Sequence, residues 1–255
     1  MNLDIVPALA IGFILAFARI GTLVMLLPGL GEPMIPARLR LAIALALTFV
    51  LFPLVRADYP TLPGAPEQIV LLLVEEIAIG AVLGITGRIV MGVLSSAGTI
   101  IAEVLGLSFL TSTDPTQGQQ GALVGSFLSV LGIAVIFATD LDHLAIAALG
   151  QSYDIFRPGL MPPVGDASIY VIRLVASSFA LALQIAAPVV VFAVVFNVGL
   201  GVLARLMPQM QVFFVGVPGA ILIGFAIFAL TLSAMMMAFG MAVRHDLGAL
   251  SGLGG

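Results

Sequence analysis

Long stretches of apolar residues, separated by short connections rich in Pro, Gly and charge, set the pattern of this chain. They fall at 5–30, 41–55, 69–94, 122–139, 169–203 and 212–243. Several exceed the roughly 20 residues that cross a hydrocarbon core. In lipid such runs are either helices or strands of a closed barrel. These lack the period-2 alternation of a barrel and are too long for tilted strands. The pattern predicts an all-α protein of hydrophobic helical hairpins, with about six apolar helical segments broken by Pro and Gly.

The connections differ in character. Pro28 to Pro36 holds three prolines, which forbid a continuous helix and favour an ordered corner. The stretch from Asp58 to Pro66 reads as an exposed linker, and that from Asp154 to Asp166 as a turn between two helices. The segment Gly106–Gly121, GLSFLTSTDPTQGQQG, is polar although apolar stretches flank it, and it carries Ser/Thr turn chemistry and two Gln between glycines. It is the most functional-looking loop in the chain.

Composition deepens the membrane reading. Hydrophobic residues make up 61% of the 255 and charged residues only 9%, against about 45–50% and about 25% in soluble domains. No water-soluble core of this size hides so much apolar surface, so one hydrophobic domain over residues 1–255 is expected. The nine basic residues are all Arg, and the net charge of −4 with no basic run argues against nucleic-acid binding. No Cys is present, which removes disulfides and thiol chemistry. The first residues, Met1-Asn2-Leu3-Asp4, lack the positive start of a signal peptide, so the first run is expected to be retained. If six spans alternate, Arg56, Arg157 and Arg244 fall on one side and Arg38, Arg40 and Arg205 on the other, so the basic residues do not orient the chain.

Ionisable residues inside apolar runs need a partner or water. Arg19, Glu75, Glu76, Arg88, Glu103 and Arg173 are such positions. Glu75 or Glu76 is expected to pair with an Arg of this chain or another, or to relay protons; a structural pair between helices is the plainer reading. Gly80, Gly84 and Gly92 recur at helical spacing with Arg88 on their stripe, and Gly121, Gly125 and Ser129 do likewise. Small residues four apart let helices approach closely, either for ordinary packing or for subunit recognition. Asp140-Leu-Asp142-His143 is the one cluster of acids with an imidazole; it lacks the three or four convergent ligands of a metal site, and Asp142 reads as the cap of a following helix. No serine sits in the setting of a catalytic nucleophile, and no glycine-rich phosphate-binding fingerprint occurs, so neither an enzyme nor a cofactor is expected.

The order of several short signatures resembles the flagellar biosynthetic protein FliR family, whose injectisome counterpart is SctT. The resemblance runs from Arg19, Pro28 and Pro36-Ala-Arg38 to the last span. Its most specific stretches are Gly106-Leu107-Ser108-Phe109 followed by Asp114-Pro115; Asp142-His143-Leu144; and Ala187-Pro188 through Asn197, Gly199-Leu-Gly201, Arg205 and Pro208-Gln209 to Phe213 and Gly216-Val-Pro218.

The resemblance implies a non-enzymatic subunit of a type III export gate in the bacterial inner membrane, at the flagellar basal body. FliP-, FliQ- and FlhB-like proteins would be its partners, and unfolded export substrates would pass through the shared channel. It also implies that membrane-like segments pack as bent hairpins against partner subunits as well as lipid, so that hydropathy overcounts spans. Gly106, Leu107, Ser108, Phe109, Asp114, Pro115, Gln117, Gln119, Gln120 and Gly121 match the segment that plugs the closed pore. Arg205, Pro208, Gln209, Phe213 and Pro218 match a turn region, and Gln211 stands where Asn or Ser is more usual. Pro188 is expected to kink its helix by removing a backbone hydrogen bond, which would supply the bend. A small-molecule secondary transporter is the alternative that the Gly- and Pro-interrupted spans and intramembrane acids suggest; no inverted repeat supports it.

Overall fold

The computed structural model describes residues 5–31, 35–59, 66–107, 120–159, 164–207 and 212–250. Among these residues the regular structure is helical throughout, as the apolar runs require. The helices are α1 (Ile5–Leu26), α2 (Ala37–Val55), α3 (Pro66–Val104), α4 (Gln120–Ala138), α5 (Leu141–Ile155), α6 (Val164–Leu206) and α7 (Val212–Leu250), with a short 3-10 turn at Arg56–Asp58. Five of them are long and apolar enough to cross a membrane, or six if α4 and α5 count as one broken span.

The long helices outrun the apolar runs. At about 1.5 Å per residue, the 43 residues of α6 reach roughly twice the ~30 Å of a hydrocarbon core. The run ending at residue 94 continues as helix through Glu103, because its polar residues Ser95, Ser96, Thr99 and Glu103 lie on the exposed side and do not oppose helical backbone there. Pro53, Pro188 and Pro218 all lie inside helices. The helix therefore continues on both sides of Pro188. Pro218, expected in a turn, sits instead within α7, where its missing N–H leaves the carbonyl four residues earlier without an intrahelical donor.

Hydroxyls inside the helices are quenched locally. Thr22, Thr48, Thr86 and Thr231, and Thr139 just past the end of α4, each donate to the carbonyl four residues back, at 2.7–2.9 Å. Such back-bonding lets a polar side chain sit in an apolar helix without an orphan donor.

The chain divides into two compact units: residues 1–90, 140–175 and 244–255 in one, and residues 91–139 and 176–243 in the other. In the first unit, Ile20 and Val24 of α1 pack with Ala44 and Leu51 of α2 and Leu149 of α5. The Phe13 ring meets Phe52 edge-on at 5.6 Å. In the second unit the helices touch through glycine. A Cβ at Gly98 of α3 would collide with the backbone of Gly125 on α4, so the two main chains are in contact there. Gly132 of α4 lies beneath Leu94 and Phe239, and Gly224 of α7 beneath Leu105 and Phe192. Small residues thus set the helix spacing, as expected where lipid supplies no hydrophobic drive between helices.

Candidate functional site

The glycines of α3 bring a buried charge cluster together in the first unit. Glu76, Gly80 and Gly84 follow one another at one-turn intervals. A Cβ at Gly80 would collide with the Arg19 carbonyl oxygen, and one at Gly84 would lie 2.5 Å from Leu26 Cβ. With both side chains absent, α1 approaches until Arg19 and Glu76 meet. Arg19 Nε donates to Glu76 Oε2 at 2.6 Å, and Nη2 donates to Oε1 at 2.9 Å. The pair is bidentate, the geometry for which the guanidinium fork is suited.

The remaining donors go to the end of α5. Arg19 Nη1 donates to the Ser152 carbonyl at 3.2 Å, and Nη2 also to the Phe156 carbonyl at 2.8 Å. A cation at the C-terminus of a helix is favoured by the orphan carbonyls there. The guanidinium also lies 4.0 Å from the centre of the Tyr153 ring, a cation–π contact, and Tyr59 meets Tyr153 edge-on at 6.1 Å. Arg19 and Glu76 are 0% and 1% exposed. Burial, then the neighbouring Tyr153 and Glu76, push the Tyr59 phenol above its ordinary range and keep it protonated. Every partner is spent on holding three helices and a connection in place.

The other intramembrane charges do not join this cluster. Arg88, Glu103 and Arg173 are exposed, and Glu75 is half-buried with its Oε2 enclosed. Arg88 was expected on the stripe of Gly80, Gly84 and Gly92, but each four-residue step drifts about 40° around a helix. By Gly92 the stripe has left α1, and nothing lies within 4 Å of where its Cβ would be.

Of the loop residues singled out in the sequence, Gly106 closes α3 in the left-handed region at φ +75°, with its N–H on the Glu103 carbonyl at 3.0 Å. Leu107 follows it. Ser108, Phe109, Asp114, Pro115, Gln117 and Gln119 lie outside the described residues, as do Pro208 and Gln209. Gln120 and Gly121, expected in the loop, begin α4, whose apolar run recruits them into its first turn. Arg205 is exposed at the end of α6, and Phe213 is in the first turn of α7. Asp142, expected to precede its helix, lies inside α5; the cap position belongs to Asp140, at φ 55° and without a side-chain cap.

Membrane-length helices fastened by a buried ion pair and by glycine contacts define a polytopic, helical membrane protein whose polar interior is structural. A sequence profile of the family described as bacterial export proteins, family 1, matches residues 10–245, and the chain belongs to that family. It is 42% identical over 223 residues to the flagellar biosynthetic protein FliR of Caulobacter vibrioides, covering 88% of this chain and 89% of that one. The FliR of Bacillus subtilis is 27% identical, with 92% and 90% covered. The surface presentation of antigens protein SpaR of Salmonella typhimurium is also 27% identical, with 78% and 74% covered. The small-molecule transporter is not favoured by this family, which is one of structural membrane proteins of a flagellar export apparatus.

Proposed function

We propose that the chain is a non-enzymatic subunit of the flagellar type III protein export gate. With FliP- and FliQ-like subunits, and an FlhB-like protein attached, it forms the channel through which unfolded flagellar proteins leave the cell. Its place is the inner membrane, within the basal body. The observation that carries this reading is the near full-length 42% identity to a flagellar FliR.

Physical features support it. The central Arg19–Glu76 pair is saturated by structural contacts, which suits a scaffold. The polar segment from Gly106 to Gly121 plugs the resting channel: small and polar residues leave a wet passage at little loss of buried apolar area. Pro188 provides the bend of a hairpin, and Arg205 to Pro218 the turn that follows it.

Purification of the tagged chain from membranes together with its genomic neighbours tests the reading. The expected result is a stable complex with FliP- and FliQ-like proteins. A monodisperse chain that never co-purifies with them would sink it, and saturable small-molecule uptake by vesicles holding this chain alone would favour the transporter.

A further inference from the structure

The outward face of α3 changes character partway along the helix. In its first half α3 exposes Val70, Leu71, Val74, Ile77 and Ile85. Within residues 91–104 it exposes no large apolar side chain. The inward face here is fully engaged: Leu94, Ala97, Ile101 and Leu105 are buried, and Gly98 rests on Gly125. The residues left outside are Ser95, Ser96, Thr99 and Glu103, all exposed. At 100° per residue, Ser95, Thr99 and Glu103 lie within about 80° of one another.

Lipid does not suit this face. It offers no large apolar contact, and it exposes a carboxylate and three hydroxyls, those of Ser96 and Thr99 clear of the Gly125 contact that Ser95 borders. Among the described residues Glu103 forms no ion pair, so its charge relies on water or on a cation from elsewhere. Thr99 Oγ1 already donates to the Ser95 carbonyl at 3.0 Å, so this hydroxyl does not depend on a partner's acceptor. The helix then ends at Gly106 and runs on in sequence into the polar segment TSTDPTQGQQ. Non-lipid backbone and polar surface at membrane depth occur where protein lines a watery space.

We infer that Ser95, Ser96, Thr99 and Glu103 form a water-facing wall of the export path. This rests on the export-gate reading, whose channel supplies the water. The wall leads into the segment proposed as the plug and gives an unfolded chain in transit hydroxyls and one negative charge to slide along, instead of an adhesive apolar surface.

Because the chain has no Cys, single substitutions report on water directly. Thr99→Cys, Ser96→Cys and, as the control on an exposed apolar face, Leu230→Cys are each made in the full complex in membrane vesicles. Leu230 is 83% exposed in the isolated chain, so exposure alone predicts that it reacts readily. A charged methanethiosulfonate, admitted to both membrane faces, is followed by mass shift. Thiols in water ionise and react, whereas those in lipid or protein stay protonated, and one unit of raised pKa lowers the thiolate about tenfold. The expected result is modification of Thr99→Cys and Ser96→Cys at least about tenfold faster than Leu230→Cys. Equal rates would overturn the inference. So would fast labelling in the chain alone that disappears on assembly, which would assign the face to a partner subunit. Co-purification is scored in the same sample. A complex that forms but labels slowly rejects only the wall, and a complex that never forms rejects the export-gate reading and the wall with it.

Discussion

The Arg19 guanidinium holds the Glu76 carboxylate through two parallel hydrogen bonds of 2.6 and 2.9 Å, across 57 residues of sequence. Both side chains lie in the apolar interior. Removing one partner of a buried pair strands the other, at a cost of about 3–5 kcal/mol.

Glu76→Gln and Arg19→Met are therefore each expected to lower unfolding stability in detergent by about that amount. The double variant Arg19→Met with Glu76→Leu is expected to recover more than half of the summed loss, because no charge is left stranded. Additive losses in equilibrium unfolding would show that the two residues act independently.

Glycine contacts give a second expectation. Gly98→Ala forces a methyl onto the Gly125 backbone, which has no side chain to swing aside. It is expected to cost at least about 1–3 kcal/mol. Gly92→Ala meets open space, and its helix propensity improves by up to about 1 kcal/mol. Thermal unfolding of the purified subunit ranks the two; equal midpoints would refute the contact.

Tyr59 carries a pH prediction. Its phenol is raised in the folded chain, first by burial. The unfolded phenol ionises near pH 10. Stability from the neutral buried form is thus fully present below about pH 10 and falls as pH climbs toward the folded value. Tyr59→Phe is expected to flatten that alkaline decline relative to the parent chain, read as unfolding midpoints between about pH 9 and pH 11. Parallel curves would place Tyr59 in water.

The proposed plug and bend are separable in the assembled gate. Deleting residues 111–120 is expected to let small ions or metabolites leak when no substrate is in transit. Unchanged permeability of vesicles holding the assembled gate would reject the plug.

Pro188→Ala restores a backbone donor and is expected to reduce recovery of the complex more than it reduces the amount of chain in the membrane. Equal recovery of complex would mean that the bend is set elsewhere.

Much of the fold was legible in the sequence, since apolar runs longer than a core thickness leave the backbone few choices besides helix. Helix ends were less legible. The apolar run ended at residue 94, yet α3 continues through Val104 because Ser95, Ser96, Thr99 and Glu103 all lie on its exposed side. The helix from Leu141 to Ile155 was visible only through its cap, and the cap was placed two residues late because Asp140 adopts the left-handed region that a side chain rarely takes. Arg19 and Glu76 were both visible as misplaced charges, but their pairing was not, because sequence distance hides which helices touch. One signal was available: Glu76, Gly80 and Gly84 at successive turns mark a helix face that admits another backbone. The exposed polar face of residues 95–103 escaped notice because serine and threonine barely disturb a hydropathy average.

The Arg19–Glu76 bond also imposes an order on synthesis. Arg19 emerges from the ribosome with the first helix, 57 residues ahead of its carboxylate and 133 ahead of the Ser152 carbonyl. At about 5–20 residues per second, the cation waits several seconds for its counter-charge. During that interval α1 carries an uncompensated Arg, a penalty of about 2.5–3.5 kcal/mol in lipid. The arrival of α3 removes that penalty, so the pairing favours retention of the first helix beside the third.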